Sequence, residues 1–343
     1  MGNPFPLGKL PADVLARLLA TITPTDPRVL VGPGVGLDAA VIDLGDRLLV
    51  AKTDPVTFAT DSIGWYAVQV NANDIATTGA APCWFMATVL LPESRANEQL
   101  AEEIFAQIHA ACAAIGVSLV GGHTEITYGL DRPIVVGAML GEAAHEQLVI
   151  PSGARPGDAI LLTKGIAVEG TAIIAREKAN ELREFDAAFL ERCRNFLTEP
   201  GLSVVRDAAI ATRYAAGRVH AMHDPTEGGL ATGLYELAQA SGLGLMIEAD
   251  AVPVYPETQA LCRATGLDPW GLIASGALLM AVETADAENI VRALNAQGIR
   301  AVIIGQTTEA THGVKLHGPE GIYDLPRFER DEITRLFDGG GYI

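Results

Sequence analysis

The chain has 343 residues, which suits two domains of ordinary size, and 49% of them are hydrophobic, enough for real cores. Its formal net charge of −18 has the wrong sign for a general nucleic-acid binder, which needs basic surface to displace counterions. Residues 1–19 lack the pattern of a signal peptide, and no apolar run reaches membrane-spanning length. We therefore expect a cytoplasmic protein that binds neither nucleic acid nor membrane.

The first half of the chain mixes strand and helix patterns. A short amphipathic helix is predicted over residues 10–20. Strands Ala39–Leu44 and Arg47–Thr53 are predicted to form a hairpin that turns at Gly45-Asp46. The other predicted elements of this half are a helix over Ile63–Thr78, a strand over Cys83–Leu91, a helix over Glu98–Ile115, and strands over Val117–Gly121 and Ile134–Gly141.

A stretch dense in turn formers, Pro151–Asp158, separates the two halves. We expect a domain boundary there, with an N-terminal domain over residues 1–150 and a C-terminal domain over residues 151–343. The predicted elements of the second half are a strand over Ala159–Thr163, helices near 169–178, 186–196 and 203–215, a helix ending near Ala240, a strand over Leu278–Val282, a helix over Asp286–Ala296 and a strand over Arg300–Gly305.

Several carboxylates stand beside small residues. Asp38 lies where a glycine-rich loop enters a strand, and it is either an ordinary turn residue or a cation ligand. Asp54 ends a β-rich run before Pro55, where either a strand-terminating or a ligand role is open. Asp224 precedes Gly228 in a loop that leads into a helix, so it is either a structural cap or part of an anion or Mg²⁺ site.

Asp74 stands in the middle of a predicted helix among Ala, Ile and Thr, where aspartate has poor propensity. Asn71 lies one turn earlier on the same face. A polar stripe in a helix of small and apolar residues needs a partner or an ion, unless that side of the helix faces water.

Paired glycines, Gly121 and Gly122, follow another predicted strand and allow a close approach of the backbone to a ligand. His123 and Glu125 come next, and they either reach one site or point to opposite sides of a strand. A hydrogen-bonded structural histidine is the alternative for His123.

Taken together, the carboxylates predict a site for hard cations, because Mg²⁺ prefers oxygen ligands and bridges phosphates. The sequence has no zinc-type His/Cys spacing, no Walker A loop and no Gly-x-Ser-x-Gly elbow.

The order of these motifs resembles the aminoimidazole-ribonucleotide (AIR) synthetase-like superfamily of ATP-dependent enzymes. The motifs are Gly-x-Asp-Ala-Ala-Val, Thr-Asp-Pro, Asn-Asp-Ile-Ala-x-x-Gly-Ala, Gly-Gly-His-Thr, Pro-Ser-Gly-x-x-Pro-Gly-Asp and Asp-Pro-Thr-Glu-Gly-Gly-Leu, and they span nearly the whole chain. Asp224–Leu230 and Ala274–Leu279 look most like the hydrogenase maturation factor that makes the cyanide ligand.

The resemblance implies an α+β, two-domain fold. N-terminal α/β domains would pair into a β-barrel at a homodimer interface, and the C-terminal domain would be an α/β sandwich. ATP would lie in a cleft, with its phosphates held through Mg²⁺. By resemblance the metal ligands are Asp38, Asp54, Asp74 and Asp224. The further cofactor-binding residues are Thr53, Asn71, Gly121, Gly122, His123 and Gly228.

The function implied is that of an enzyme that activates a substrate oxygen by phosphoryl transfer from ATP. Its acceptor would be a small molecule or an amide-type group, and the sequence assigns no catalytic residue. The hydrogenase factor carries its reacting group on a C-terminal cysteine, whereas this sequence has no cysteine after Cys262. The alternative is therefore a non-catalytic nucleotide-binding module that assists a maturation or biosynthetic partner.

Overall fold

Two β-sheets, one in each half of the sequence, organise the chain. The computed structural model describes residues 5, 10–34, 37, 39–57, 61–215 and 217–337. Within these ranges no helix combines the length and the apolar character that a membrane span requires.

The helices are α1 (Ala12–Leu19), α2 (Ile63–Thr77), α3 (Glu98–Ala114), α4 (Val168–Glu177), α5 (Ala187–Arg194), α6 (Val205–Tyr214), α7 (Gly229–Ser241), α8 (Pro256–Thr265) and α9 (Thr284–Ala296). The strands are β1 (Val29–Val31), β2 (Ala40–Asp43), β3 (Leu48–Val56), β4 (Ala81–Pro92), β5 (Ser118–Thr127), β6 (Ile134–Ala143), β7 (Ala159–Thr163), β8 (Val219–His223), β9 (Gly244–Glu248), β10 (Leu279–Val282), β11 (Ala301–Thr308), β12 (Val314–Gly318) and β13 (Gly321–Asp324).

The first sheet has the strand order β1-β2-β3-β6-β4-β5. Its pairings are antiparallel except for that of β4 with β5, which is parallel. The predicted hairpin of β2 and β3 is confirmed, and Gly45 takes a positive φ of 102° in its turn. Helices α2 and α3 cover one face of this sheet, where their side chains form one apolar core with those of the strands.

The second sheet has the order β13-β12-β9-β11-β7-β10-β8 and is mixed, because β12 runs parallel to β9. Successive residues of β7 enter two different cores, as expected when a sheet is covered on both faces. Ile160 and Leu162 pack on the side of α7, whereas Leu161 packs on the side of α6 and α9.

Most predicted elements are present with small shifts at their ends, but some predictions are incomplete. The strand predicted over Val117–Gly121 extends through Thr127. Strands β1, β8, β9, β12 and β13 and helix α8 were not predicted. Helix α2 lies between the first sheet and the C-terminal half. It is buried on nearly every side and is therefore not amphipathic.

Helix α2 also joins the two halves of the chain. Asn73 on this helix is 2% exposed, and its Nδ2 donates to the carbonyl oxygen of Leu202 at 2.8 Å. Its Oδ1 accepts from the backbone N–H of Val204 at 2.9 Å. Tyr66, about two turns earlier, packs with Val168 and other buried apolar residues of the C-terminal half. The helix that carries Asp74 is therefore fixed by both halves.

A buried lysine holds the turn that receives Asn73. Lys164 Nζ donates to the carbonyl oxygens of Gly201 at 3.2 Å and Ser203 at 2.5 Å, and it lies 3.6 Å from Asp207 Oδ1. Burial lowers the pKa of Lys164, and the Asp207 carboxylate opposes this effect. The lysine thus orders the backbone that faces α2.

We expect Asn73→Ala to destabilise the junction of the two halves. Two buried backbone groups would lose their partners, and each unsatisfied group costs about 1–3 kcal/mol. Chemical denaturation should show a lower free energy of unfolding, with a larger effect than Asn289→Ala, which removes an exposed asparagine from α9. Equal stability of the two variants would contradict the bridging role of Asn73.

Candidate functional site

Strand β3 changes from apolar to charged along its inward face. Leu48 and Val50 are fully buried against α2, and the next two residues of the same parity are Lys52 and Asp54. The residues of opposite parity, Thr53 and Pro55, are exposed. The pleat of the strand therefore places a lysine and a carboxylate on the inward face, next to the apolar core.

Lys52 lies between two predicted ligands. Its Nζ is 2.9 Å from Asp74 Oδ2 on α2 and 3.8 Å from Asp54 Oδ2. The side chain of Asp74 is 9% exposed, that of Lys52 12% and that of Asp54 41%. The structure thus brings Asp54 and Asp74 together, as predicted for a shared site, but around an ammonium group that the sequence reasoning had missed.

Asn71 and Thr53 fix the elements that carry this cluster through hydrogen bonds to backbone carbonyl oxygens. Asn71 Nδ2 donates to the carbonyl oxygens of Ala67 at 2.8 Å and Asp54 at 3.3 Å, which ties β3 to α2. Thr53 Oγ1 donates to the carbonyl oxygen of Gly137 at 2.8 Å. Gly137 is needed there, because a Cβ on it would lie 2.3 Å from Asn71 Nδ2. Asn71 Oδ1 is buried and has no hydrogen-bond partner among the described residues.

A cleft opens beside Asp74 at the junction of the two halves. Its walls come from β1, β2, the end of α2, the linker before β7, and β8. The lining residues are Val31, Leu37, Ala39, Val41, Asp74, Thr77, Thr78, Val149, Ile150, Pro151 and Met222. The lining is mostly apolar with a carboxylate on one wall, a composition typical of a small-molecule site.

Asp224 follows β8 and is 3% exposed, so this predicted ligand is buried in the C-terminal half. Gly228 is the N-cap residue that precedes α7, with a φ of 78°. Its backbone N–H donates to Asp331 Oδ2 at 2.7 Å. A phosphate at this helix N-terminus would have to displace Asp331, which the sequence prediction for Gly228 did not anticipate.

The predicted four-carboxylate metal site is only partly described. Asp38 lies outside the described residues. Across the described part of the chain, no three His, Cys, Asp or Glu side chains come close enough together to hold a metal ion. Asp54 and Asp74 are ligands of the right chemistry, but Lys52 supplies the cation between them. These residues therefore do not form a complete magnesium site.

Gly121, Gly122 and His123 lie inside β5 and not in a loop after a strand, which corrects their predicted local structure. Gly122 is required by packing, since a Cβ would lie 2.0 Å from the carbonyl oxygen of Ala87. His123 Nε2 and Glu125 Oε2 are 3.5 Å apart on one exposed face.

Sheet register separates this motif from the lysine cluster, which consists of Lys52, Asp54 and Asp74. Thr53 pairs with Ala138, Ala138 with Met86 and Met86 with Gly121, so the glycines lie three strands from β3. That is roughly 14 Å along the sheet. Within one chain, β3 and β5 therefore do not act on a ligand from adjacent strands.

The C-terminal half adds a buried carboxyl group that no sequence pattern indicated. Glu169, in the first turn of α4, is 8% exposed. Burial raises its pKa to about 7, a hydrogen bond from Ser275 opposes this, and the charges of Glu227 and Asp331 raise it further. A carboxyl that titrates near neutral pH beside a domain junction has the character of a general acid or base.

Asp331 lies near Glu169 and accepts three backbone N–H groups, those of Gly228 at 2.7 Å, Ile273 at 3.3 Å and Ile333 at 2.8 Å. Burial nevertheless raises its pKa to about 6. Across the junction, Tyr66 of α2 has a raised pKa because of burial first and the charge of Glu169 second. The two halves therefore meet electrostatically as well as by packing.

The chain belongs to the AIR synthase related protein family. The N-terminal domain of that family matches residues 36–143, and its C-terminal domain matches residues 155–317. The resemblance drawn from the motifs is confirmed.

Among similar proteins, a putative hydrogenase expression/formation protein of Methanocaldococcus jannaschii is 30% identical over 312 residues, covering 86% of this chain and 88% of that protein. The carbamoyl dehydratase HypE of Rhizobium leguminosarum bv. viciae is 30% identical over 281 residues, covering 79% and 76%. A crystal structure of hydrogenase maturation protein HypE in complex with ATP superposes with a TM-score of 0.71 at 25% identity, over 92% of this chain and 95% of that one.

We expect Glu169→Gln to remove a pH-dependent loss of stability. A carboxyl whose pKa is raised on folding binds its proton more tightly in the folded state. Stability therefore falls as pH rises from the unfolded value near 4.5 to the folded value of about 7. The gain in free energy of unfolding of the variant should grow over this range to a limit on the order of 3 kcal/mol.

The check is a series of denaturation curves between pH 4.5 and 8, with Glu288→Gln on the exposed face of α9 as the control. A stability difference for Glu169→Gln that does not vary with pH would contradict the assignment.

Proposed function

We propose that the chain is an ATP-dependent enzyme that transfers the γ-phosphoryl group of ATP to a substrate oxygen. The observation that carries the proposal is the cluster of Lys52, Asp54 and Asp74, which sets one cation and a second carboxylate beside Asp74, the carboxylate that lines the cleft between the halves. Such groups position phosphates and the cations that accompany them. The ATP complex of a similar protein supports the choice of nucleotide.

The proposed acceptor is an amide-type oxygen of a small molecule or of a group presented by another protein. The name carbamoyl dehydratase, borne by a relative at 30% identity, supports a carboxamide-like group. In the proposed step, the carboxamide oxygen attacks the γ-phosphorus, the bond from that phosphorus to the bridging oxygen breaks, and ADP leaves. The bond from carbon to the phosphorylated oxygen then breaks and phosphate leaves, while the amide nitrogen loses its two protons and forms a triple bond to that carbon. ATP in this way drives the removal of water from a primary amide.

Magnesium would come to the site with the triphosphate. Asp54 and Asp74, with Asp38 and Asp224 as further candidates, are the carboxylates proposed to hold it. When bound, Mg²⁺ would neutralise charge that develops on the transferred group. The side chain of Asp54 is 41% exposed and is therefore the described carboxylate of the lysine cluster best placed to meet an incoming ion.

We further propose that residues 1–150 form the ATP-binding and dimerisation domain and residues 151–343 the C-terminal domain. Strand β5 supports a homodimer, because it is a long strand at the edge of its sheet and nine of its ten residues are exposed. Leu119 is 38% exposed, Val120 54% and Ile126 63%, so apolar side chains stand on both faces. An edge of this kind is a template for pairing with another strand, and a second copy of β5 would complete it into the proposed barrel.

ATP should stabilise the protein, and Mg²⁺ should increase that stabilisation. At a ligand concentration about 100 times Kd, binding adds about 2–3 kcal/mol to the free energy of unfolding. We expect Asp54→Asn to lose the increment that Mg²⁺ provides in a thermal-shift assay. Asp46→Asn, in the exposed β2–β3 turn, should retain it. Identical responses of these two variants would exclude Asp54 as a ligand.

Turnover separates the enzyme from the alternative of a non-catalytic nucleotide-binding module. The measurement is ADP release against a panel of amides and carbamoyl compounds. If ATP binds but no acceptor leads to ADP release, the result would favour the non-catalytic module. The sequence left that alternative open.

Val120→Lys should weaken the homodimer, because a charge on the edge strand opposes its pairing with a second copy. Light scattering at a series of protein concentrations should show a dimer for the wild type and dissociation for the variant. Ile322→Lys, on the exposed edge strand β13 of the other sheet, is the matched control and should stay dimeric. A monomeric wild type would overturn the proposed interface.

A further inference from the structure

Lys52 stands at a position that the strand pattern assigns to the core. It follows Leu48 and Val50 on the inward face of β3, and its side chain is only 12% exposed. The aliphatic stem of a lysine can occupy such a position while its ammonium group reaches a polar partner. Here the ammonium reaches Asp74 Oδ2 at 2.9 Å, so its direction is set by an ion pair inside the protein.

Asp74 explains why an ammonium is held there. It is the one charged residue in the sequence of α2, Ile63–Thr77, and its side chain is 9% exposed. An ionised carboxylate in such surroundings is costly unless a counter-charge lies close by. Lys52 supplies that counter-charge.

The same ammonium changes what the site can bind. Asp54 and Asp74 alone would present two negative charges on adjacent elements, an arrangement that attracts a divalent ion. With Lys52 between them, at 2.9 Å from one and 3.8 Å from the other, the group as a whole carries only one net negative charge. A divalent ion approaching Asp74 would also meet the ammonium at short range and be repelled by it.

We propose that Lys52 is a resident cation that occupies the place of a divalent metal ion between Asp54 and Asp74 whenever nucleotide is absent. The nucleotide-free site therefore excludes free divalent ions. The ammonium is then a ready donor for an oxygen of an anionic ligand that enters the cleft. The role of Lys52 as a resident cation stands on the ion pairs alone. Its role as a donor to an anionic ligand rests on the proposed function.

The test measures Mn²⁺ binding to the nucleotide-free protein, with free Mn²⁺ followed by electron paramagnetic resonance. The wild type should show no saturable binding at the cluster. Lys52→Met keeps the length of the side chain and removes its charge. We expect this variant to gain a Mn²⁺ site and to bind Mn²⁺ about tenfold or more tightly than the wild type does. Asp74→Asn added to Lys52→Met should abolish the gain, and Lys52→Arg, which keeps the charge, should behave as the wild type.

Lys315→Met is the matched control, because Lys315 Nζ lies 2.7 Å from Asp324 Oδ1 in a surface ion pair away from the cleft. It should gain no Mn²⁺ site. A folded Lys52→Met variant whose Mn²⁺ affinity equals that of the wild type would overturn the proposal. If that variant does not fold, the wild type still decides, since saturable Mn²⁺ binding that Asp54→Asn weakens would refute a resident cation.

Nucleotide titrations of the same proteins form a separate arm. A failure of ATP to bind would count against the proposed function and leave the Mn²⁺ result intact. If ATP does bind, Lys52→Met should weaken its metal-free binding more than Lys52→Arg does. The converse order would show that the ammonium does not meet the anion.

Discussion

The site depends on one electrostatic constraint: the Asp74 carboxylate is buried on a helix that is itself enclosed on nearly every side. A charge in that position must be compensated, and the compensation comes from Lys52 at 2.9 Å. Because the lysine is on β3 and the aspartate on α2, the ion pair also fixes the register between strand and helix. Asn71 adds to this fixation through its bond to the backbone of Asp54.

Helix α2 links the position of Asp74 to the C-terminal half by hydrogen bonds. Asn73, next to Asp74, makes two hydrogen bonds to the backbone at Leu202 and Val204. Lys164 holds that backbone from the other side. Any shift of the C-terminal half is therefore coupled to the position of the carboxylate at the cleft, which gives the two halves a physical means to act on one ligand.

Much of this architecture could be predicted from the sequence. The β2–β3 hairpin, α2, α3, β7 and α9 followed from periodicity and turn residues, and the order of the motifs identified the family. Strands β9, β12 and β13 were missed, because none of them has the run of four apolar residues that marks the equally short β7.

The charged cluster was only half predicted. Asp54 and Asp74 were found because carboxylates stood out beside small residues, whereas Lys52 was missed although its parity with Leu48 and Val50 places it on the inward face. Glu169 carries no local signal, since its raised pKa comes from burial and from Glu227 and Asp331, which are distant in sequence. Gly121 and Gly122 were predicted to let the backbone approach a ligand closely. Gly122 instead packs closely against β4, whereas a Cβ on Gly121 would meet no atom within 4 Å.

The most direct test of the account is a crystal structure with a non-hydrolysable ATP analogue and Mn²⁺, in which anomalous scattering locates each metal ion. The account predicts a triphosphate in the cleft beside Asp74, Mn²⁺ between that triphosphate and Asp54, and Lys52 Nζ turned toward a phosphate oxygen. A triphosphate bound elsewhere, with the Lys52–Asp74 ion pair unchanged and no metal ion near either aspartate, would contradict it.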